Sequence, residues 1–89
     1  MKSRTTRKFW RLFDSLPVDV QNHARRSYQQ FHADPAYPAL QFKRVNRTEP
    51  VYSVRIGIAH RALGLLAGDT ITWFWIGGHD DYERLLNDS

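Results

Sequence analysis

Apolar residues in the first third of the chain recur at helical spacing. Phe9, Phe13 and Leu16 fall at i, i+4 and i+7, with Trp10 and Leu12 widening the stripe. The pattern predicts a first helix that ends at Ser15-Leu16-Pro17. Pro17 suits the first turn of a second helix, where a missing N–H costs nothing, and Asp19 follows where the helix dipole favours an acid. Val20, Ala24, Tyr28 and Phe31 continue the stripe to about residue 32. Asp34-Pro35 and Tyr37-Pro38 stop it, because a residue before proline is pushed out of the helical region. So short a break between two helices predicts an antiparallel helical hairpin.

Beyond Pro38 the period changes to two. Leu40 and Phe42 alternate with Gln41 and Lys43, and Tyr52, Val54 and Ile56 alternate with Ser53 and Arg55. Such alternation predicts half-buried strands with a basic outer face. A turn at Gly57 leads to a third run over 60–66, and Ala67-Gly68-Asp69 reads as a hairpin loop. Thr70 to Ile76 is apolar on both faces, which places it centrally in the sheet. Gly77-Gly78 ends that strand, and Asp80 to Leu86 predicts a short last helix. The expected fold is α+β: the helical hairpin packs on a small, mainly antiparallel twisted sheet of three or four strands, followed by a short C-terminal helix. Residues 1–89 form one domain, a length within the single-domain range.

Composition narrows the chemistry. With no Cys, the chain has no disulfide, no thiolate nucleophile and no Cys-ligated zinc. No apolar run approaches the roughly 18–20 residues that span a bilayer, and no apolar stretch follows the basic start MKSRTTRKFWRLF. A cytoplasmic protein with no membrane partner is expected. His23, His32, His60 and His79 lack metal-ligand spacing, so neither a metal nor another cofactor is expected. Charge is distributed unevenly. Residues 1–61 carry twelve Lys and Arg against four Asp and Glu, a balance of +8, whereas residues 62–89 carry −4. A basic body of this kind fits a polyanionic partner, nucleic acid foremost, or a solvated cationic surface.

Meander pairing of the runs 52–56, 60–66 and 70–76 would bring residue 56 against residue 60 and the end of the last strand beside the start of the one before. Arg55, Arg61, His79 and Tyr82 would then gather at one end of the sheet. Guanidinium groups bind phosphate bidentately and stabilise the extra charge of a phosphorane. Imidazole transfers protons near neutral pH, and a phenol stacks on a base or bonds to a phosphate oxygen. Each residue also has a plainer reading: Arg55 solvated, Arg61 flanking a turn, His79 capping the last helix, Tyr82 packed against Trp75. Lys43, Arg44 and Arg47 form a second basic stretch suited to the phosphate backbone of RNA. Arg25 and Arg26 on the second helix, and Arg4, Arg7, Lys8 and Arg11 near the first, extend that cationic surface.

The segments PAYPALQFKRV (35–45), YSVRIGIAHRALG (52–64) and GDTITWFWIGGHDDYERLL (68–86), with the helical hairpin before them, resemble the RelE/ParE superfamily of bacterial toxins from type II toxin–antitoxin modules. The resemblance covers nearly the whole chain. It implies either of two activities on one scaffold, ribosome-dependent mRNA cleavage in RelE-like members or DNA gyrase poisoning in ParE-like ones, and an inactive antitoxin-binding member is a third possibility. For the RelE-like branch it places Arg55, Arg61, His79 and Tyr82 in the catalytic positions, with Lys43 on a phosphate. It further implies attack of an RNA 2′-hydroxyl on the adjacent phosphate, and a cognate antitoxin, the ribosome and mRNA as partners.

In that scheme Arg61 and Arg55 stabilise the phosphorane, His79 protonates the leaving 5′-oxygen, and Tyr82 orients or stacks the substrate. Two departures stand out. The family commonly begins with an edge strand, for which MKSRTT is short and polar. No carboxylate occupies the place of the general base, since Gln41 and Lys43 hold that neighbourhood and Glu49 falls in a loop. Phe9, Trp10 and Phe13 either pack on the sheet or meet the antitoxin.

Overall fold

The computed structural model describes residues 1–87. In chain order the elements are β1 (Lys2–Thr5), α1 (Arg7–Asp14), α2 (Val18–Ala33), a 3-10 turn (Pro38–Leu40), β2 (Lys43–Arg44), β3 (Val51–Ile56), β4 (His60–Ala67), β5 (Thr70–Gly78) and α3 (His79–Asn87). The strands form one five-stranded sheet in the order β1-β5-β4-β3-β2. β2, β3, β4 and β5 pair antiparallel, and β1 lies parallel to β5.

The expected α+β architecture is present, with corrections at both edges of the sheet. MKSRTT does form an edge strand. Its ladder needs only backbone: Lys2 N–H donates to Asp69 O at 2.7 Å and Thr6 N–H to Trp73 O at 3.1 Å, so polar side chains are no obstacle on an exposed edge. Leu40 and Phe42 are not in a strand. Pro38 opens a 3-10 turn and Gln41 adopts a left-handed conformation, φ 47°, leaving only Lys43 and Arg44 to pair. The two helices are joined as predicted at residues 15–17, but each packs chiefly on the sheet, α1 over β5 and α2 over β3.

Local chemistry explains the helix ends. Thr6 Oγ1 accepts from Phe9 N–H at 3.1 Å and caps α1. At its other end Gln21 Nε2, from α2, donates to Phe13 O and Leu16 O at 3.0 and 3.2 Å, tying the end of α1 and the linker after it to the second helix. Phe9 and Phe13 are buried, so they pack on the sheet, while Trp10 stays out and donates Nε1–H to Thr5 Oγ1 at 2.8 Å.

A β-bulge divides the core between two faces of the sheet. Leu63 pairs with Trp75, yet Gly64 pairs with Trp73, so Phe74 is an extra residue in β5. Strict alternation would put Trp73 and Trp75 on one face. The extra residue instead sends Trp73 to the helical-hairpin side, with Phe9, Phe13, Phe31, Val54, Ile56 and Ile76. Trp75 goes to the other side, with Leu63 and Tyr82 of α3.

Gly64 sits beneath this arrangement. A Cβ there would lie 2.7 Å from Ile71 Cγ1 and 2.8 Å from Trp73 Cε3, and both side chains are buried. Gly64→Ala is therefore expected to destabilise the fold by about 1–3 kcal/mol through overpacking. Thermal melting followed by circular dichroism should place its midpoint at least about 4 °C below that of the wild type. An unchanged midpoint would contradict the close packing.

Candidate active site

The site is built on the turn between β3 and β4. Gly57 opens it in a left-handed conformation, φ +62°, which glycine adopts without a Cβ penalty. Four successive carbonyls of this segment accept hydrogen bonds from the residues singled out in the sequence or their immediate frame. Gly57 O takes Arg55 Nε–H at 2.9 Å, and Ile58 O takes Arg61 Nη1–H at 3.4 Å. Ala59 O takes the His79 backbone N–H at 2.8 Å, and His60 O takes Arg61 Nη1–H, also at 2.8 Å.

The predicted meander accounts for the gathering. Ile56 pairs with His60, and His60 with Gly78, so the start of α3 lies beside the turn. The Arg61 guanidinium carbon is 5.9 Å from the centroid of the Tyr82 ring, a cation–π distance. The His79 ring lies 5.8 Å from that same ring. His79 Nε2 is 3.2 Å from Glu83 Oε1, and the two side chains are 42% and 51% exposed, open to solvent. Glu83 is a residue the sequence reading passed over. Its signal was the i, i+4 spacing from His79, which becomes a helical pair because α3 starts at His79, one residue before the predicted start at Asp80.

Tyr82 does not present its face to solvent. It is 5% exposed, packs with Leu63 and Trp75, and donates its hydroxyl to Ser53 Oγ at 3.3 Å. The plainer reading of this residue matches its packing; stacking on a substrate base does not, because Trp75 and Leu63 enclose the ring. Arg55 is the cross-strand partner of Arg61, but its guanidinium turns to a different carbonyl. It lines a separate recess with His23, Arg26 and Tyr37, to which Arg61, His79 and Tyr82 do not contribute.

The second basic stretch is spread along an edge. Lys43 is exposed on β2 opposite Ser53. Arg44 curls back onto its own loop, donating Nε–H to Asn46 O at 2.9 Å and Nη2–H to Arg47 O at 3.4 Å. Asn46 Oδ1 shapes that loop by accepting from the Thr48 and Glu49 backbone N–H groups at 2.9 and 2.8 Å. Arg47 and Glu49 are exposed on it. Among the described residues no three His, Asp or Glu side chains converge as metal ligands, and no helix is long and apolar enough to cross a membrane.

Comparison with known proteins places this architecture. The ParE-like toxin domain family matches residues 18–84. The chain belongs to that family, and its sheet and helices have the form shared by the RelE/ParE superfamily. Comparison with curated proteins gives no match. Among solved structures it is similar to a chain of the RelB–RelE antitoxin–toxin complex from Methanococcus jannaschii. The TM-score is 0.74 at 13% identity, covering 92% of this chain and 96% of that one. A YoeB/ParE toxin from Agrobacterium tumefaciens gives 0.70 at 14% identity, over 89% and 99% of the two chains. YafQ from Escherichia coli strain BL21(DE3) gives 0.69 at 6% identity, over 91% and 96%. At these identities the likeness is one of fold.

The Tyr82 hydroxyl tests the packing of the second face. Tyr82→Phe keeps the ring and removes one buried hydrogen bond, leaving Ser53, 2% exposed, without its partner. Urea unfolding should give a stability lower by about 1 kcal/mol. A variant as stable as the wild type would show that this bond contributes nothing.

Proposed function

We propose that the protein is the toxin of a toxin–antitoxin pair and acts as an mRNA endoribonuclease that cuts within codons on the ribosome. The observation that carries this reading is the union, at one rim, of a fixed guanidinium and an accessible imidazole–carboxylate pair: Arg61, and His79 with Glu83. A phosphodiester placed against Arg61 meets a donor fork matched to its oxygens. The 2′-hydroxyl oxygen attacks the adjacent phosphorus, and its proton leaves to solvent. As the P–O5′ bond breaks, the His79 imidazolium gives its proton to the 5′-oxygen and later regains one from solvent. The products are a 2′,3′-cyclic phosphate and a 5′-hydroxyl.

Glu83 acts as a positioning residue. It engages Nε2, which leaves Nδ1 as the nitrogen that transfers the proton. Arg61, stacked over Tyr82 and bonded to the turn, reaches the phosphorane with little reorganisation. Tyr82 supports this from below as a buried platform. Arg55 and Lys43 belong to the surrounding phosphate-binding surface, as does Arg47; Arg44 supports the loop that carries Arg47. The antitoxin partner is one with an acidic segment that covers the basic body, consistent with the +8 balance of residues 1–61.

The family's ParE-like description favours one second reading, inhibition of DNA gyrase by binding. That activity needs no proton donor. The two are separated by primer extension on a reporter mRNA in a reconstituted translation system, with and without ribosomes. Wild-type protein is expected to give ribosome-dependent cuts, reduced at least about 100-fold in both His79→Ala and Arg61→Ala. Full cleavage by His79→Ala would remove His79 from the mechanism. Intact mRNA at inhibitory protein levels would overturn the nuclease reading and turn attention to gyrase supercoiling.

A further inference from the structure

The turn onto which Arg61 bonds also walls a recess through Gly57 and Ile58. His23 and Arg26 reach it from α2, Tyr37 from the segment before the 3-10 turn, and Arg55 from β3, with Gly57 at the wall. Its volume is about 440 Å³, within the range of small-ligand sites. No Asp or Glu lines it. Among the described residues neither the Arg26 nor the His23 side chain has a hydrogen-bond or ion-pair partner, and Arg55 spends only Nε on the Gly57 carbonyl. Two guanidinium forks and an imidazole thus share a concave site with no counter-charge, which concentrates positive potential there. Tyr37, 41% exposed, adds an aromatic face.

That combination is chemically specific. Uncompensated Arg forks select phosphate oxygens, and an adjacent exposed aromatic ring is what an unstacked base lies on. Arg55 in the recess and Arg61 at the rim are cross-strand neighbours, so the two sites lie on either side of one three-residue turn. A single strand crossing Gly57–Ala59 would meet both.

We propose that this recess is a second phosphate site for the RNA strand, holding a nucleotide that flanks the one cut at Arg61 and His79, with its phosphate on Arg26 and Arg55 and its base on Tyr37. The proposal rests on the nuclease reading for its substrate, yet it concerns binding and is measured separately from cleavage. A short 2′-O-methyl oligoribonucleotide, which cannot be cut by 2′-hydroxyl attack, serves as the probe in fluorescence anisotropy across a salt series. Arg26 is exposed, so Arg26→Gln leaves the core intact.

Arg26→Gln is expected to weaken binding about tenfold and to lower the salt slope by about 0.7. Arg84→Gln, an exposed change outside both sites, is expected to bind within about twofold of wild type. In the translation assay Arg26→Gln should raise the protein concentration needed for half-maximal cutting without lowering the maximal rate. Binding left unchanged by Arg26→Gln, or no binding by the wild type, would overturn the proposal. So would a result in which inorganic phosphate occupies the recess while oligonucleotide affinity ignores Arg26, since that defines a free-anion site. Arg26-dependent oligonucleotide binding by a wild type that leaves mRNA intact would sustain the recess and discard cleavage. Unimpaired cutting and binding by Arg26→Gln would do the reverse.

Discussion

The hydrogen bonds accepted by the β3–β4 turn hold the site together. Backbone carbonyls at a hairpin end ordinarily face water, but from Gly57 to His60 each accepts from Arg55, Arg61 or the first N–H of α3. One short segment thereby sets the reach of two guanidinium groups and the starting point of the helix that bears His79 and Glu83. Its geometry depends on Gly57. A side chain there would pay roughly 1–2 kcal/mol for the left-handed backbone and would meet the His23 ring at 3.1 Å. The backbone conformation is the main constraint, since the exposed His23 ring can shift to admit a Cβ.

The bulge in β5 supplies the other condition. By sending Trp73 and Trp75 to opposite faces it lets one nine-residue strand serve two cores, the helical hairpin on one side and α3 on the other. Trp75 thereby joins Leu63 in the apolar seat on which Tyr82 of α3 packs, beside the rim that holds His79 and Arg61. Tyr82 links the two conditions. Its ring packs on Trp75 and Leu63, its hydroxyl reaches Ser53 in β3, and Arg61 lies above it. Buried packing below and a charged rim above are the arrangement expected when catalysis relies on preorganised charge.

Much of this was legible in the sequence, for reasons that differ by element. The stripe through Phe9, Phe13 and Phe31 read correctly because those residues are buried and helices repeat regularly. The meander of β3, β4 and β5 followed from alternation broken by Gly57 and Gly68, and it brought Arg61, His79 and Tyr82 together. β1 was missed because a polar edge strand held by backbone hydrogen bonds leaves no apolar trace. β2 was misplaced because Pro38 and the left-handed Gln41 interrupt an alternation that looked continuous through Phe42. The separation of Arg55 from Arg61 escaped notice for a different reason: register places the Cα atoms side by side, and only the choice of carbonyl sends the guanidinium groups apart. Glu83 lay in plain view at helical spacing from His79.

The remaining question is whether the rim performs the chemistry its groups suit. In the proposed reaction the nucleophile belongs to the substrate, so the most direct test alters the RNA and leaves the protein as it is. A reporter mRNA carrying a single 2′-deoxynucleotide on the 5′ side of a mapped cleavage point is translated in the presence of the wild-type protein. Cleavage at that point should disappear while neighbouring cuts persist, and the unmodified control should yield a 2′,3′-cyclic phosphate and a 5′-hydroxyl. Cutting that continues at the deoxy position, or products ending in a 5′-phosphate, would contradict attack by the 2′-hydroxyl and with it the role assigned to His79 and Arg61.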